Sequence, residues 1–162
     1  MPIRRARPAD FKSLIPVWDD LHQHHVAALP HVFHNLKGKP LIPRADYLAR
    51  LADPQQLTLV AEAEGQPIGF LWAFRRSLPA GDATEARQVL LVDMIGVISA
   101  YRGGGTGTDL MAEAERWGRE HGAREIALNV WAANRDAIRF YEGLGYQTEL
   151  LRMVKTINKG GV

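Results

Sequence analysis

Four glycines in five positions, Gly103-Gly104-Gly105-Thr106-Gly107, follow an aliphatic run that extends from Val89 to Ile98. Glycine accepts backbone conformations closed to other residues and lets a ligand approach the main chain. Beyond the turn, Leu110, Met111, Ala114, Trp117 and Gly118 recur at helical spacing, with Asp109, Glu113, Arg116 and Glu120 off the stripe. The spacing predicts a helix to about His121, with Gly122 as its stop. A buried strand feeding a glycine turn and then a helix restricts the chain to a mixed α/β fold. It also creates a chemical opportunity, because unpaired N–H groups and the positive dipole end at a helix start suit a phosphate. A tight turn without a ligand is the plainer reading of the same residues.

The remaining elements fall around this unit. Ile3 to Ala6 reads as a short strand, and Pro8 and Asp10 suit a helix start. Phe11, Leu14, Ile15, Trp18, Leu21, His22 and His25 form one helical face. Pro30, Gly38, Pro40 and Pro43 mark a loop, and Tyr47, Leu48 and Leu51 a short second helix. Leu57 to Glu62 and Ile68 to Arg75 read as strands joined by the turn Glu64-Gly65-Gln66-Pro67, with a polar loop from Ser77 to Ala86. Glu125 to Trp131 is a further strand, Asn134 caps a helix through Leu144, and Tyr146 to Ile157 is a last extended segment. The end, Asn158 to Val162, reads as frayed.

With 162 residues and no linker or repeat, residues 1–162 are expected to form one domain. Cysteine is absent, which excludes disulfides, thiolate-bound metals and a cysteine nucleophile. Twenty basic against 18 acidic residues leave a net charge of +2, and the cluster Arg4, Arg5, Arg7 is too short for a nucleic-acid stripe, so a solvated edge is expected there. No run of about 18 apolar residues suggests a membrane span. The expectation is a cytoplasmic protein without nucleic-acid or membrane partners.

Two phosphate motifs fail. A Walker A loop needs Lys followed by Ser or Thr, and no Lys stands between Gly103 and Met111. A dinucleotide fingerprint from Gly103 or Gly105 would need glycine where Thr108 and Leu110 stand. Arg102-Gly103-Gly104-Gly105-Thr106-Gly107 instead resembles the Arg/Gln-x-x-Gly-x-Gly/Ala signature of the GNAT N-acetyltransferase superfamily. Asn134-Arg135-Asp136-Ala137-Ile138-Arg139-Phe140-Tyr141, continuing to Gly145-Tyr146, resembles the same superfamily's helix motif. The resemblance implies a mixed, mostly antiparallel sheet with a splayed strand pair and flanking helices. It implies acetyl-CoA as donor, no metal, and direct transfer to a primary amine of a small molecule or peptide. By position, Gly103, Gly105, Gly107 and Thr108 would hold the pyrophosphate, within a loop that includes Arg102, Gly104 and Thr106. Ile95, Gly96 and Val97 would line the pantetheine arm, and Asn134 would touch it from the other side. Gly104 often carries a basic residue in relatives and Thr106 an aliphatic one. A non-catalytic acyl-CoA-binding module, and a nucleotide binder sharing only the turn, are the alternative readings.

Amine acetylation needs a base for an ammonium of pKa about 10.4 and stabilisation of a departing thiolate. The resemblance implies Tyr141 near the sulfur; packing in the core is the other reading. Asp93 is the only acidic residue in the strand Val89 to Val97, and is read either as the base or as a residue paired with an arginine, with a water chain as its substitute. Five histidines, His22, His24, His25, His31 and His34, lack a recognisable ligand pattern and border the acceptor side by resemblance, with a core-facing His22 as the alternative reading. Many relatives end in a hairpin, whereas only 16 residues follow Tyr146, so part of the acceptor wall is expected to be reduced or supplied by a second subunit.

Overall fold

The computed structural model describes residues 1–36 and 39–157. Gly38 and the stretch 158–162 lie outside them. The order is β1 (Ile3–Arg5), a 3-10 turn (Pro8–Asp10), α1 (Phe11–Ala28), α2 (Arg44–Ala52), β2 (Gln56–Ala63), β3 (Gln66–Leu78) and β4 (Arg87–Val97). A second 3-10 turn (Ser99–Tyr101), α3 (Thr106–Glu120), β5 (Glu125–Leu128) and α4 (Arg135–Gly143) follow. The strands lie in sequence order, antiparallel from β1 to β4, with β5 parallel to β4. Helix α3 supplies the crossover that a parallel pair requires.

Helices cover both faces of this sheet, which is why β2 and β3 are apolar almost throughout. Leu57, Leu59 and Ala61 of β2 join Leu71 and Ala73 of β3 in a core with Leu110, Met111 and Trp117 of α3. Val60, Phe70 and Trp72 point the other way, into a core with Leu14, Trp18 and Tyr47. Trp18 is the hub there, its ring 5.4 Å from Trp72, 5.6 Å from Phe11 and 5.9 Å from Tyr47. The Tyr47 hydroxyl donates to the Arg7 carbonyl at 2.8 Å, and burial pushes its pKa up to about 12.

Several expectations are corrected. The hairpin turns on two residues, Glu64 and Gly65, with φ of 51° and 75°, as a primed turn demands; Ala63 and Gln66 already pair. β3 runs on to Leu78, three residues past Arg75. β5 stops at Leu128 rather than Trp131, because its last rung is Val92 with Leu128 and β4 bulges at the next residue, Asp93. The segment from Tyr146 to Ile157 joins no strand, and Leu150, Leu151, Met153, Val154 and Ile157 are 77–91% exposed. Of the two readings of His22 the structure shows the core-facing one, with Nε2 2.8 Å from the His34 carbonyl.

Arg4 is not a solvated edge residue. Its guanidinium bonds Asp10 through both oxygens, at 2.7 and 2.9 Å, and also Glu62 of β2. Asp10 is buried and accepts from the Arg7 amide as well, so one carboxylate ties β1 to the start of α1. The Arg4 bonds, and then the Arg7 amide, hold its carboxyl below the usual range against the opposing effect of burial. Asp10→Asn should therefore lower stability at pH 7 by about 1.5–3 kcal/mol. A depressed native pKa stabilises the fold above the unfolded value of about 3.9, and that contribution fades as pH falls through the native value. Urea unfolding of both proteins should show their difference shrinking progressively below about pH 4.

Candidate active site

The sheet opens where β4 changes neighbours. From Val89 to Val92, β4 pairs with β3 on one side and β5 on the other. Asp93 is then the extra residue between the rungs Ala73–Val92 and Trp72–Met94, a bulge that redirects the strand. From Met94 to Val97, β4 pairs only with β3, through rungs that include Leu71–Ile95, Phe70–Gly96 and Gly69–Val97. Ile95, Gly96 and Val97 thus lie together on the strand stretch whose β5 side is open.

At the end of this stretch the chain enters the glycine loop. Gly103 and Gly105 have φ of 78° and 84°, the left-handed conformations that require glycine there. A Cβ at either position would meet nothing within 4 Å, and one at Gly104 would come no closer than 3.8 Å to the Tyr101 carbonyl. Space is therefore open above three consecutive residues. The Asp109 amide makes the first helical bond of α3, to the Gly105 carbonyl at 3.0 Å. The amides of Thr106, Gly107 and Thr108 precede it in the first turn and lack intrahelical acceptors. Bare backbone, open space and a helix N-terminus together suit a diphosphate.

The other expected residues divide between the loop and its supports. Gly107 is bare because of packing: a Cβ would lie 3.2 Å from Cζ of Phe140, which seats α4 on α3. Asn134 caps α4, its side-chain oxygen accepting from the Ala137 amide at 3.1 Å. Arg102 turns back from the loop. Its Nε donates to the Val97 carbonyl at 2.8 Å and its guanidinium pairs with Asp20 of α1, which also accepts from the Ser99 hydroxyl at 3.0 Å. Asp93 lies 3.3 Å from Nη1 of Arg50 and its side chain is 40% exposed, the arrangement of an ion pair rather than of a desolvated base. Tyr141 packs in a ring cluster with Phe140 and Tyr146, and burial pushes its phenol up to about 12.

Three features escaped sequence reasoning. A Cβ on Gly96 would come within 2.9 Å of Phe70 and 3.3 Å of Leu21, so this glycine admits α1 to the sheet. A glycine inside an aliphatic strand was the available signal. Asp20 carried none, since its partners are 79 and 82 residues away. The third is an aromatic contact that joins the segment after α1 to the segment after β5: Phe33 stacks on His25 at 5.2 Å and meets Trp131 edge-on at 5.6 Å. Burial, with His24 and His22 nearby, keeps His25 below its ordinary pKa and hence neutral at pH 7. Among the described residues no group of three His, Asp or Glu side chains could hold a metal ion.

Thr106 is buried at the head of α3 and its hydroxyl has no protein hydrogen-bond partner. Replacing it by isosteric valine removes an unsatisfied group, so Thr106→Val should stabilise the fold by about 1 kcal/mol. Thermal unfolding of the two proteins reads the difference.

The sequence model of the Acetyltransferase (GNAT) family matches residues 18–146. An uncharacterized N-acetyltransferase of Bacillus subtilis, YhfO, is 25% identical over 149 residues, covering 92% of this chain and 91% of the relative. The aminoglycoside N(6')-acetyltransferase type 1 of Salmonella enteritidis is 26% identical over 136 residues, covering 84% and 87%. Among solved structures, the BH1408 protein of Bacillus halodurans, as a tetramutant, has a TM-score of 0.90 at 22% identity, covering 97% of this chain and all of that one. The aminoglycoside N-acetyltransferase AAC(6')-Iy in complex with CoA has a TM-score of 0.68 at 20% identity, covering 97% and 99%. The splayed strands, the glycine loop and the matched region together establish that this chain belongs to the GNAT acetyltransferase family.

Proposed function

We propose that the protein transfers an acetyl group from acetyl-CoA directly to a primary amine of a small molecule or peptide. The observation that carries this reading is the uncovered backbone of Gly103, Gly104 and Gly105 at the head of α3, which follows the stretch Ile95 to Val97 that β5 leaves unpaired. Acetyl-CoA would supply the activated thioester. The amides of Gly103, Gly105, Gly107 and Thr108 would hold its pyrophosphate, the β4 edge and Asn134 would orient its arm, and Arg102 would brace the loop.

With its pKa near 12, the Tyr141 phenol stays protonated at neutral pH. Full proton transfer to a thiolate of ordinary pKa about 8.5 would be uphill by about 5 kcal/mol, so Tyr141 acts as a hydrogen-bond donor to the departing sulfur. Asp93 sits where the sheet opens and attracts the acceptor's ammonium, and water carries its proton away. Without cysteine, no thiol acyl-enzyme forms, which favours transfer within a ternary complex. The aminoglycoside N(6')-acetyltransferase among its relatives supports an amine acceptor. None of the described helices is long and apolar enough to cross a membrane.

Two substitutions test separate parts of this reading. Gly104 has ordinary backbone torsions and open space, so Gly104→Glu should keep the fold but weaken acetyl-CoA binding at least tenfold by placing a carboxylate against the phosphates. Unchanged binding in calorimetry would remove the loop from the donor site. Tyr141→Phe should lower kcat by roughly tenfold to a hundredfold with donor affinity retained. A thiol reagent reads released CoA across a panel of amines, free of background from protein cysteines; binding of acetyl-CoA without turnover on any amine would favour the non-catalytic module.

A further inference from the structure

The open stretch of β4 has two faces, and the donor accounts for one of them. Ile95 and Val97 pack toward the α3 core, on the side where the glycine loop leads into α3. Met94 and Ile98 pack toward the α1 core, and Leu21 of α1 lies close to Gly96 between them. With the donor on the first face, an acceptor amine reaches the gap from the second.

A wall of rings stands there. Four residues beyond Leu21, one turn along α1, His25 stacks with Phe33 at 5.2 Å, and Phe33 meets Trp131 edge-on at 5.6 Å. Trp131 lies between β5 and α4, so the rings join the helix packed on β4 to the segment that continues β5, the two sides of the gap. Buried His22 anchors the wall, its ring 6.2 Å from Phe33 and its Nε2 2.8 Å from the His34 carbonyl. Yet Trp131 is 46% exposed, and its neighbour Val130 and the Phe33 neighbour Val32 are exposed too. Apart from Met1, Tyr101 and the segment after Glu149, these are all the exposed large apolar side chains among the described residues. Apolar surface gathered beside a reaction gap marks a binding surface.

Charge narrows what this wall accepts. From Leu21 to Ala45 and from Ile126 to Arg135 the sequence has no Asp or Glu, while the first stretch carries five histidines, Lys37, Lys39 and Arg44. The carboxylates at the two ends of the open stretch are both engaged by arginines, Asp93 by Arg50 at 3.3 Å and Asp20 by Arg102. Asp93 can be shared with one ammonium. A second positive charge would find no carboxylate in the wall and would face basic residues instead.

We propose that the wall of His25, Phe33 and Trp131 is a site for an arylalkyl monoamine, the acceptor of the acetyl transfer on which this inference rests. The aryl ring packs against Trp131 and Phe33, and the single amine extends to the open stretch of β4 beside Asp93. A polyamine or a polycationic sugar is selected against by the same surface.

Calorimetry of the full chain with CoA present should show 2-phenylethylamine binding at least tenfold more tightly than spermidine or kanamycin. Release of CoA from acetyl-CoA should rank the three amines in the same order. Phe33 and Trp131 belong to neither buried core, so Phe33→Ala and Trp131→Ala should fold. Each should weaken 2-phenylethylamine about tenfold and raise its KM alike, with acetyl-CoA affinity unchanged, and Trp131→Phe should recover most of the loss. Tighter binding and faster turnover of spermidine or kanamycin would overturn the proposal while leaving acetyl transfer intact. So would 2-phenylethylamine that does not bind, or whose binding neither alanine substitution weakens. Ring-dependent binding without release of CoA would uphold the site and overturn the acetyl-transfer reading instead.

Discussion

One strand has to serve two neighbours along its first half and one along its second. β4 can do this only because the bulge at Asp93 changes its course immediately after the last rung with β5. Without the bulge, the parallel ladder would continue past Leu128 and close the space beside Ile95 to Val97. Everything assigned to the donor site lies downstream of that single extra residue. The two-sided cores then make the opening permanent, since α3 fixes one face of the sheet and α1 the other, and neither can shift without disturbing buried side chains.

Glycine is used here for three unrelated physical reasons. Gly103 and Gly105 are required by backbone torsion, Gly104 leaves space open, and Gly96 and Gly107 admit neighbouring rings that a Cβ would meet at 2.9 and 3.2 Å. A motif written as a string of glycines merges these roles. The distinction matters for interpretation of variants: a side chain at Gly107 displaces α4 through Phe140 before any ligand is involved, whereas one at Gly104 meets only what enters the loop.

Local features were therefore legible in the sequence and long-range ones were not. The Val89–Val97 strand, the glycine turn, the amphipathic α3 and the Asn134 cap announce themselves over fewer than ten residues, and all appear where expected. The family resemblance rested on those same stretches. The Arg4–Asp10–Glu62 network, the Arg50–Asp93 pair and the Asp20 brace join residues distant in sequence, so composition and periodicity carry no trace of them. The segment after Tyr146 is instructive in another way. Its sequence predicts an extended strand that the structure does not show, because propensity does not supply a partner and a strand needs one to satisfy its backbone groups.

The Asp20 brace couples α1 to the glycine loop. Asp20 belongs to α1, which packs Leu21 and Phe70 around Gly96, while Arg102 begins the glycine loop and Ser99 lies in the turn between them. Through the Val97 carbonyl, Arg102 also fastens the loop to the end of β4. One carboxylate and one guanidinium thus join the helix on one face of the sheet to the loop that opens the helix on the other. Any movement of α1 would act on the glycine loop through two charge-assisted bonds, and ordering of that loop would hold α1 in return.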